Sequence, residues 1–243
     1  MFCDIRSFTS IAEKMSPQNV MLFINRYLEF AGPVIRKHNG FVDKYLGDGI
    51  MAVFPGESPD AGRAALEIVD GTPAIDGSVN ARVGMGLHRG SAMLGTIGEN
   101  DRLDTTVLSD AVNTASRLQA LSGGYGADIL ASDTGSGYPD ASGHYYIRFV
   151  DRVRLKGKER AVTVYQIMPK HLREMKREMD HLYEEAFRAL KMRDVKSAEE
   201  EIEVCLGVHP TDSVYQMLKV RIEDLAKNGF PNDWDGTVTR MIK

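Results

Sequence analysis

Gly47-Asp48-Gly49 is the feature that most narrows what this chain can become. Two glycines around an aspartate favour a tight turn, and β-compatible runs flank them at 41–46 and 50–54. That arrangement predicts a β-hairpin with Asp48 on its turn. Upstream, Ser16 suits an N-cap and Pro17 suits the first helical position. Val20, Phe23, Tyr27, Phe30, Val34 and Ile35 then recur at helical spacing and should face a core. Asn39-Gly40 is a C-terminal stop for this helix, and Pro33 inside it should kink it.

The other elements expected are a short helix at 7–14, a helix at 60–70 and a second hairpin at about 82–97 with Gly90 near its turn. A strand at 104–108 feeds a helix from Asp110 to Leu121, and strands follow at 128–132, 147–155 and 162–167. Helices alternating with hairpins predict an α+β sandwich on a mainly antiparallel sheet. The first strand is abbreviated, because Met1-Phe2-Cys3 leaves no room for a full strand before Asp4. That shortness suggests a truncated element, in a chain that begins inside a longer protein.

At Pro169 the character changes. Residues 170–228 carry helical patterning without a strand signal, which divides the chain into 1–168 and a helical tail, 169–243. Ala186, Ala198 and Pro210 lie twelve residues apart, resembling one tetratricopeptide unit: a helical hairpin followed by a C-terminal helix. A plain helical hairpin packed on the first domain fits equally well. Leu172, Met175, Met179, Leu182 and Ala186 also allow a short coiled coil.

Composition excludes some functions. The 243 residues are 43% apolar and 26% charged, with a formal net charge of −4 and no block of Lys or Arg. Broad nucleic-acid binding needs a basic face, so no nucleic-acid partner is expected. No run of about 18 apolar residues and no basic-then-apolar leader is present. Cys3 and Cys205 read as two reduced thiols, which suits a cytoplasmic protein or the cytosolic part of a membrane-anchored one.

Two constellations carry chemistry. Asp4 at a strand end and Asp48 on a tight turn can converge on one hard cation, for which magnesium is the best fit. Taken singly, each aspartate is more often a turn or cap residue. Asn113 and Arg117 are four apart on one predicted helix, so they share a face. An amide and a guanidinium there suit a ribose and a phosphate; a solvated helix face is the plain alternative.

Five blocks then tie these residues together: FCDIRSFTS at 2–10, VDKYLGDGIMAVF at 42–54, GMGLHRGSAMLGTIG at 84–98, DTTVLSDAVNTASRLQAL at 104–121 and VDRVRLKGKERAVTVYQI at 150–167. In order and spacing they resemble the class III adenylyl cyclases, over about residues 1–168. The resemblance implies a ferredoxin-like βαββαβ sandwich followed by a small all-α segment. It implies that Asp4, Asp48 and the backbone carbonyl of Ile5 hold two Mg2+ or Mn2+ ions per site. It further implies that Lys44 and Thr106 read the purine, that Asn113 orients the ribose and that Arg117 stabilises transition-state charge. Phe8, Thr9 and Gly47 would touch the substrate. Lys156 would meet the terminal phosphates, with Lys158 as its rival.

The implied reaction is attack of the ribose 3′-hydroxyl of ATP on the α-phosphorus, giving cyclic AMP and pyrophosphate. In the family each site draws on two subunits, so a chain carrying both halves implies a homodimer with two equal sites. Guanylyl cyclases resemble this family but typically place Glu and Cys where this chain has Lys44 and Thr106. The alternatives are a guanylate cyclase, a non-catalytic cyclase-like module, or peptide binding by the tail. An upstream sensor or membrane domain is a further expected partner. The chain departs from the family's pattern at Thr105 and Ser109, where an aromatic and a Gly are usual, and in the Gly-rich stretch 135–144.

Overall fold

The computed structural model describes residues 1–55, 58–75, 80–99, 101–132, 143–158 and 160–240. In chain order it opens with β1 (Phe2–Ile5), α1 (Phe8–Ala12), α2 (Pro17–Lys37), β2 (Phe41–Leu46), β3 (Gly49–Val53), α3 (Ser58–Gly71) and β4 (Val83–His88). With α1 and α2 counted as one connection this is the expected βαββαβ unit, and its strands lie in the order β4-β1-β3-β2 with every neighbour antiparallel. Four residues suffice for β1 because it is paired on both sides, Cys3 opposite Ile50 of β3 and Met85 of β4.

The amphipathic pattern of α2 explains one side of the sheet. Ser16 caps it, its Oγ accepting from the Asn19 N–H at 3.3 Å. Phe23, Tyr27, Ala31, Val34 and Ile35 are buried, while Val20 and Phe30 are half-buried. All of these except Val20 pack with Ala64, Ala65 and Ile68 of α3 over Ile5, Ile50 and Met85. Full burial of such side chains stabilises the fold by about 1.5–3 kcal/mol each.

Downstream come β5 (Met93–Glu99), β6 (Arg102–Leu108), α4 (Asp110–Ser122), β7 (Ile129–Ser132), β8 (Tyr145–Leu155) and β9 (Val162–Pro169). The hairpin expected at 82–97 does not form. β4 is occupied on both edges, antiparallel to β1 and parallel to β7, so no edge remains for β5. β5 pairs instead with β6 in a separate two-stranded arm, Met93 opposite Leu108 and Glu99 opposite Arg102. α4 crosses β4 on the face away from α2, and Gly86 lets it approach. A Cβ there would lie 2.1 Å from the Ala115 carbonyl oxygen and 2.2 Å from the Gln119 nitrogen. Most of the stretch 135–144 lies outside the described residues.

The tail forms α5 (Arg173–Lys191), α6 (Val195–Val208) and α7 (Ser213–Asn228). Ala186 and Ala198 are fully buried, as helices in close contact require. Of the stripe that allowed a coiled coil, Met179, Leu182 and Ala186 pack within the chain, in a core with Ile202 of α6, Val150 and Val153 of β8 and Leu118 of α4, whereas Met175 is exposed. Charged side chains bolt the tail to the sheet. Arg148 donates to both carboxylate oxygens of Asp212 at 2.8 Å, and Lys176 reaches the same carboxylate at 2.6 Å. Arg221 donates to Asp151 of β8 at 2.9 Å. Beyond α7 the chain returns as β10 (Val238–Arg240), parallel to β8, a strand that no pattern beyond 169 announced. Cys3 and Cys205 are free thiols in separate cores. No helix among the described residues is long and apolar enough to cross a membrane.

Candidate active site

The paired carboxylates come from the middle of the four-stranded β4-β1-β3-β2 unit. β1 and β3 are neighbours, so Asp4, one residue before the end of β1, and Asp48 on the β2–β3 turn meet at one end of the hairpin. Gly47 supplies the turn with φ +68°, a left-handed conformation that favours glycine. The Ile5 N–H donates to Asp48 Oδ2 at 3.3 Å. Burial, then a hydrogen bond with Asp48 and its charge, push the Asp4 carboxyl up to about 7. Arg6, two residues on, turns away to the Ala127 carbonyl at 2.5 Å and to Asp128 at 3.5 Å. Among the described residues neither Asp4 nor Asp48 has a Lys or Arg partner. Two crowded, half-buried carboxylates without a cationic neighbour are the donor set a hard divalent cation fits. Phe8 and Thr9 open α1 directly after β1, Phe8 half-buried and Thr9 exposed.

A second cluster joins β2 to β6. Lys44 Nζ donates to Thr106 Oγ1 at 2.7 Å, although the two are 62 residues apart. Between them sits Asp43, which sequence reasoning missed. Its side chain is 2% exposed and 3.3 Å from Lys44 Nζ. Its Oδ2 accepts from Thr106 Oγ1 at 3.1 Å and its Oδ1 from the Val107 N–H at 3.2 Å. The pairing of β2 with β3 skips a residue between Val42 and Lys44, so Asp43 sits at a β-bulge. Bulges re-aim side chains, and here the bulge turns two successive residues toward β6. The one sequence signal for Asp43 was a charge inside a β-friendly run.

A third cluster lies on α4. Ser109, one of the departures from the family's pattern, caps this helix: its backbone is extended and its Oγ accepts from the Val112 N–H at 3.2 Å. Leu118 and Ala115 anchor the buried side, leaving Asn113 exposed and Arg117 half-buried. Arg117 Nη2 lies 3.8 Å from the position a Cβ would take on Gly157, in the turn between β8 and β9. Gly157 has φ +74°, so that turn suits glycine for conformational reasons. Lys156 is exposed on the same turn, whereas its rival Lys158 is paired with Asp110 at the start of α4. The structure thus brings together Asp4 with Asp48, Lys44 with Thr106, and Arg117 with the Lys156 turn. Among the described residues no hydrogen bond or ion pair joins one cluster to another.

An antiparallel βαββαβ core with a carboxylate pair at the end of its central strands is the class III nucleotide cyclase fold. Residues 1–169 match the family described as the adenylate and guanylate cyclase catalytic domain, and the chain belongs to that family. It is 36% identical over 181 residues to an adenylate cyclase of Anabaena cylindrica, covering 69% of this chain and 36% of that protein. It is 33% identical over 224 residues to the terminal-differentiation specific adenylate cyclase of Dictyostelium discoideum, covering 87% of this chain and 11% of that protein. The second likeness runs into the tail, since 1–169 alone cannot supply 87% of 243 residues. The chain therefore spans only about a third and about a tenth of the length of these relatives. Among solved structures, a bacterial light-regulated adenylyl cyclase superposes with a TM-score of 0.60 at 27% identity, covering 71% of this chain and 91% of that one.

Proposed function

We propose that this chain is an adenylate cyclase, converting ATP to 3′,5′-cyclic AMP and pyrophosphate at sites shared across a homodimer. The observation that carries the reading is the Lys44–Thr106 contact at 2.7 Å, a cationic donor and a hydroxyl held side by side. Adenine presents an N6 donor and an N1 acceptor, which suit that pair. Both named relatives are adenylate cyclases, which supports the same substrate.

Asp4, Asp48 and the Ile5 carbonyl would hold the divalent ions. Bound there, such ions would supply positive charge beside the attacking 3′-oxygen and the phosphates. Lys44 and Thr106 fix the base, and Asn113 fixes the ribose. Phe8, Thr9 and Gly47 border the metal end and wall the substrate. Arg117 directs its guanidinium at the α-phosphate oxygens, where negative charge grows as the 3′-oxygen attacks. Lys156 meets the terminal phosphates and favours departure of pyrophosphate. Positioning and charge carry the rate, because the residues themselves form no covalent bond.

The homodimer reading is supported by the chain carrying residues of both halves of a site and by its exposed apolar residues. Phe41, Tyr45 and Leu46 of β2 and Met93, Leu94, Leu103 and Leu108 of the β5–β6 arm are uncovered in the single chain. Residues 1–168 form the catalytic unit in this reading and 169–243 an appended support. The test is purified protein with ATP or GTP, each with Mg2+ or Mn2+, and identification of the cyclic product. Cyclic AMP as the main product supports the reading; cyclic GMP, or neither product, refutes it.

A further inference from the structure

We infer that Asp43 is a specificity-determining positioning residue: it fixes the proton of the Thr106 hydroxyl so that Thr106 can only accept from the purine. The inference rests on the proposed adenylate cyclase reading and deepens it. A threonine hydroxyl has one donor and two acceptor sites and rotates to suit its partner. By itself Thr106 could therefore accept from the 6-amino group of adenine or donate to the 6-oxo group of guanine. Its hydroxyl alone does not choose.

Asp43 removes the choice. An ionised carboxylate accepts only. Asp43 Oδ2 lies 3.1 Å from Thr106 Oγ1, so the Thr106 proton points at it. The other oxygen, Oδ1, is engaged by the Val107 N–H at 3.2 Å, which holds the carboxylate against β6. With a side chain 2% exposed, Asp43 is shielded from the water that would compete for these bonds.

The remaining valences then match one base. Lys44 has three donors: one goes to Thr106 at 2.7 Å, one faces Asp43 at 3.3 Å, and one is left. Thr106 has two lone pairs, of which Lys44 takes one. The cluster therefore offers one further donor, from Lys44, and one further acceptor, on Thr106. Adenine needs a donor for N1 and an acceptor for its 6-amino group. Guanine reverses both requirements, with a protonated N1 and an acceptor O6. Its O6 would meet an oxygen whose proton is already committed.

The experiment measures kcat/KM of the full chain for ATP and GTP, in the wild type and in Asp43→Asn, with circular dichroism to verify folding. The side-chain amide that Asp43→Asn introduces can donate to Thr106 and free its proton for O6. The ATP-to-GTP ratio of kcat/KM should fall by about tenfold or more, the effect of exchanging one buried hydrogen bond for a mismatch. In a Thr106→Val background, Asp43→Asn should change the ratio no further, because its effect passes through that hydroxyl. A purely structural Asp43 would lower both substrates together and leave the ratio intact, which overturns the inference.

A second measurement needs no variant. Purine riboside triphosphate lacks the 6-amino group and should be cyclised by the wild type about tenfold less efficiently than ATP. Equal use of the two also overturns the inference. A wild type that prefers GTP, or makes no cyclic nucleotide, overturns the adenylate cyclase reading and this one with it. An unchanged ratio in an ATP-preferring enzyme overturns this one alone.

Discussion

Adding one methyl group at Gly86 tests how tightly the geometry of α4 is set. A Cβ at this position would lie 2.1 Å from the Ala115 carbonyl oxygen and 2.2 Å from the Gln119 nitrogen. Both are backbone atoms of α4 and cannot rotate aside. Relief to 3.0 Å, the shortest approach a Cβ tolerates, already requires 3.0 − 2.1, or about 0.9 Å, of helix retreat, and an ordinary contact of 3.4 Å requires 3.4 − 2.1, or about 1.3 Å. Overpacking of this kind costs about 1–3 kcal/mol. In a chain of this size that lowers Tm by about 2–12 °C. Asn113 and Arg117 ride on the same helix and move with it. A misplacement of about 1 Å costs on the order of a hundredfold in rate. The loss should appear in kcat more than in KM if, as proposed, Arg117 acts on charge that develops only in the transition state. The assay is thermal unfolding and steady-state cyclic AMP formation by Gly86→Ala beside Gly95→Ala, where an added Cβ meets nothing within 4 Å. A Gly86→Ala protein with the wild-type Tm and kcat would refute the reasoning.

Asp48→Ala should abolish cyclic AMP formation while leaving a folded protein, and Arg117→Ala should do the same. Mixed together they should regain part of the activity, since one hybrid site then has both intact halves; proven heterodimers without recovery would count against shared sites. With its pKa raised from 3.8 to about 7, Asp4 costs the metal-free protein stability as pH rises from about 4 through about 7. Added Mg2+ should therefore raise Tm more at pH 8 than at pH 6, read by differential scanning fluorimetry; an equal shift at both would contradict the carboxylate pair as its site. At the tail, burial works against the Asp212 carboxylate, but the hydrogen bonds and charge of Arg148 and Lys176 outweigh it and hold the pKa at about 2. This stabilisation is complete above 3.8 and disappears as pH falls through about 2. The single tryptophan, Trp234, whose Nε1 donates to the Leu190 carbonyl, reports on the tail. Its fluorescence should shift over that acid range. Asp212→Asn keeps a cap for α7 but leaves the buried Arg148 charge without its carboxylate partner, with Gln166 as its remaining acceptor, costing about 3–5 kcal/mol at neutral pH. An identical acid transition in the variant would show that the ion pair does not hold the tail.

Local signals in the sequence determined a good part of this molecule. The Gly-Asp-Gly turn, the capped and amphipathic α2, the strand at 104–108 feeding the helix from Asp110 to Leu121 and the break near Pro169 are written in neighbouring residues. Turn conformation, capping and periodicity act over a few positions, so they can be read without a partner. Asp4, Asp48, Asn113 and Arg117 were named from local patterns, Lys44 and Thr106 only from the family resemblance; the structure sets Asp4 beside Asp48 and Lys44 on Thr106. Strand pairing was not legible. Whether β5 joins β4 or β6 depends on which edges are already taken, and β1 and β7 had taken both edges of β4. The return of β10 onto β8 depends likewise on a free edge at the far side of the sheet. Asp43 was hidden because its role exists only once a bulge in β2 faces β6, 63 residues away. Gly86 gave no hint that a helix would lie upon it. Contacts between distant segments are set by shape, edge availability and buried hydrogen bonding, and those quantities exist only after the chain has folded.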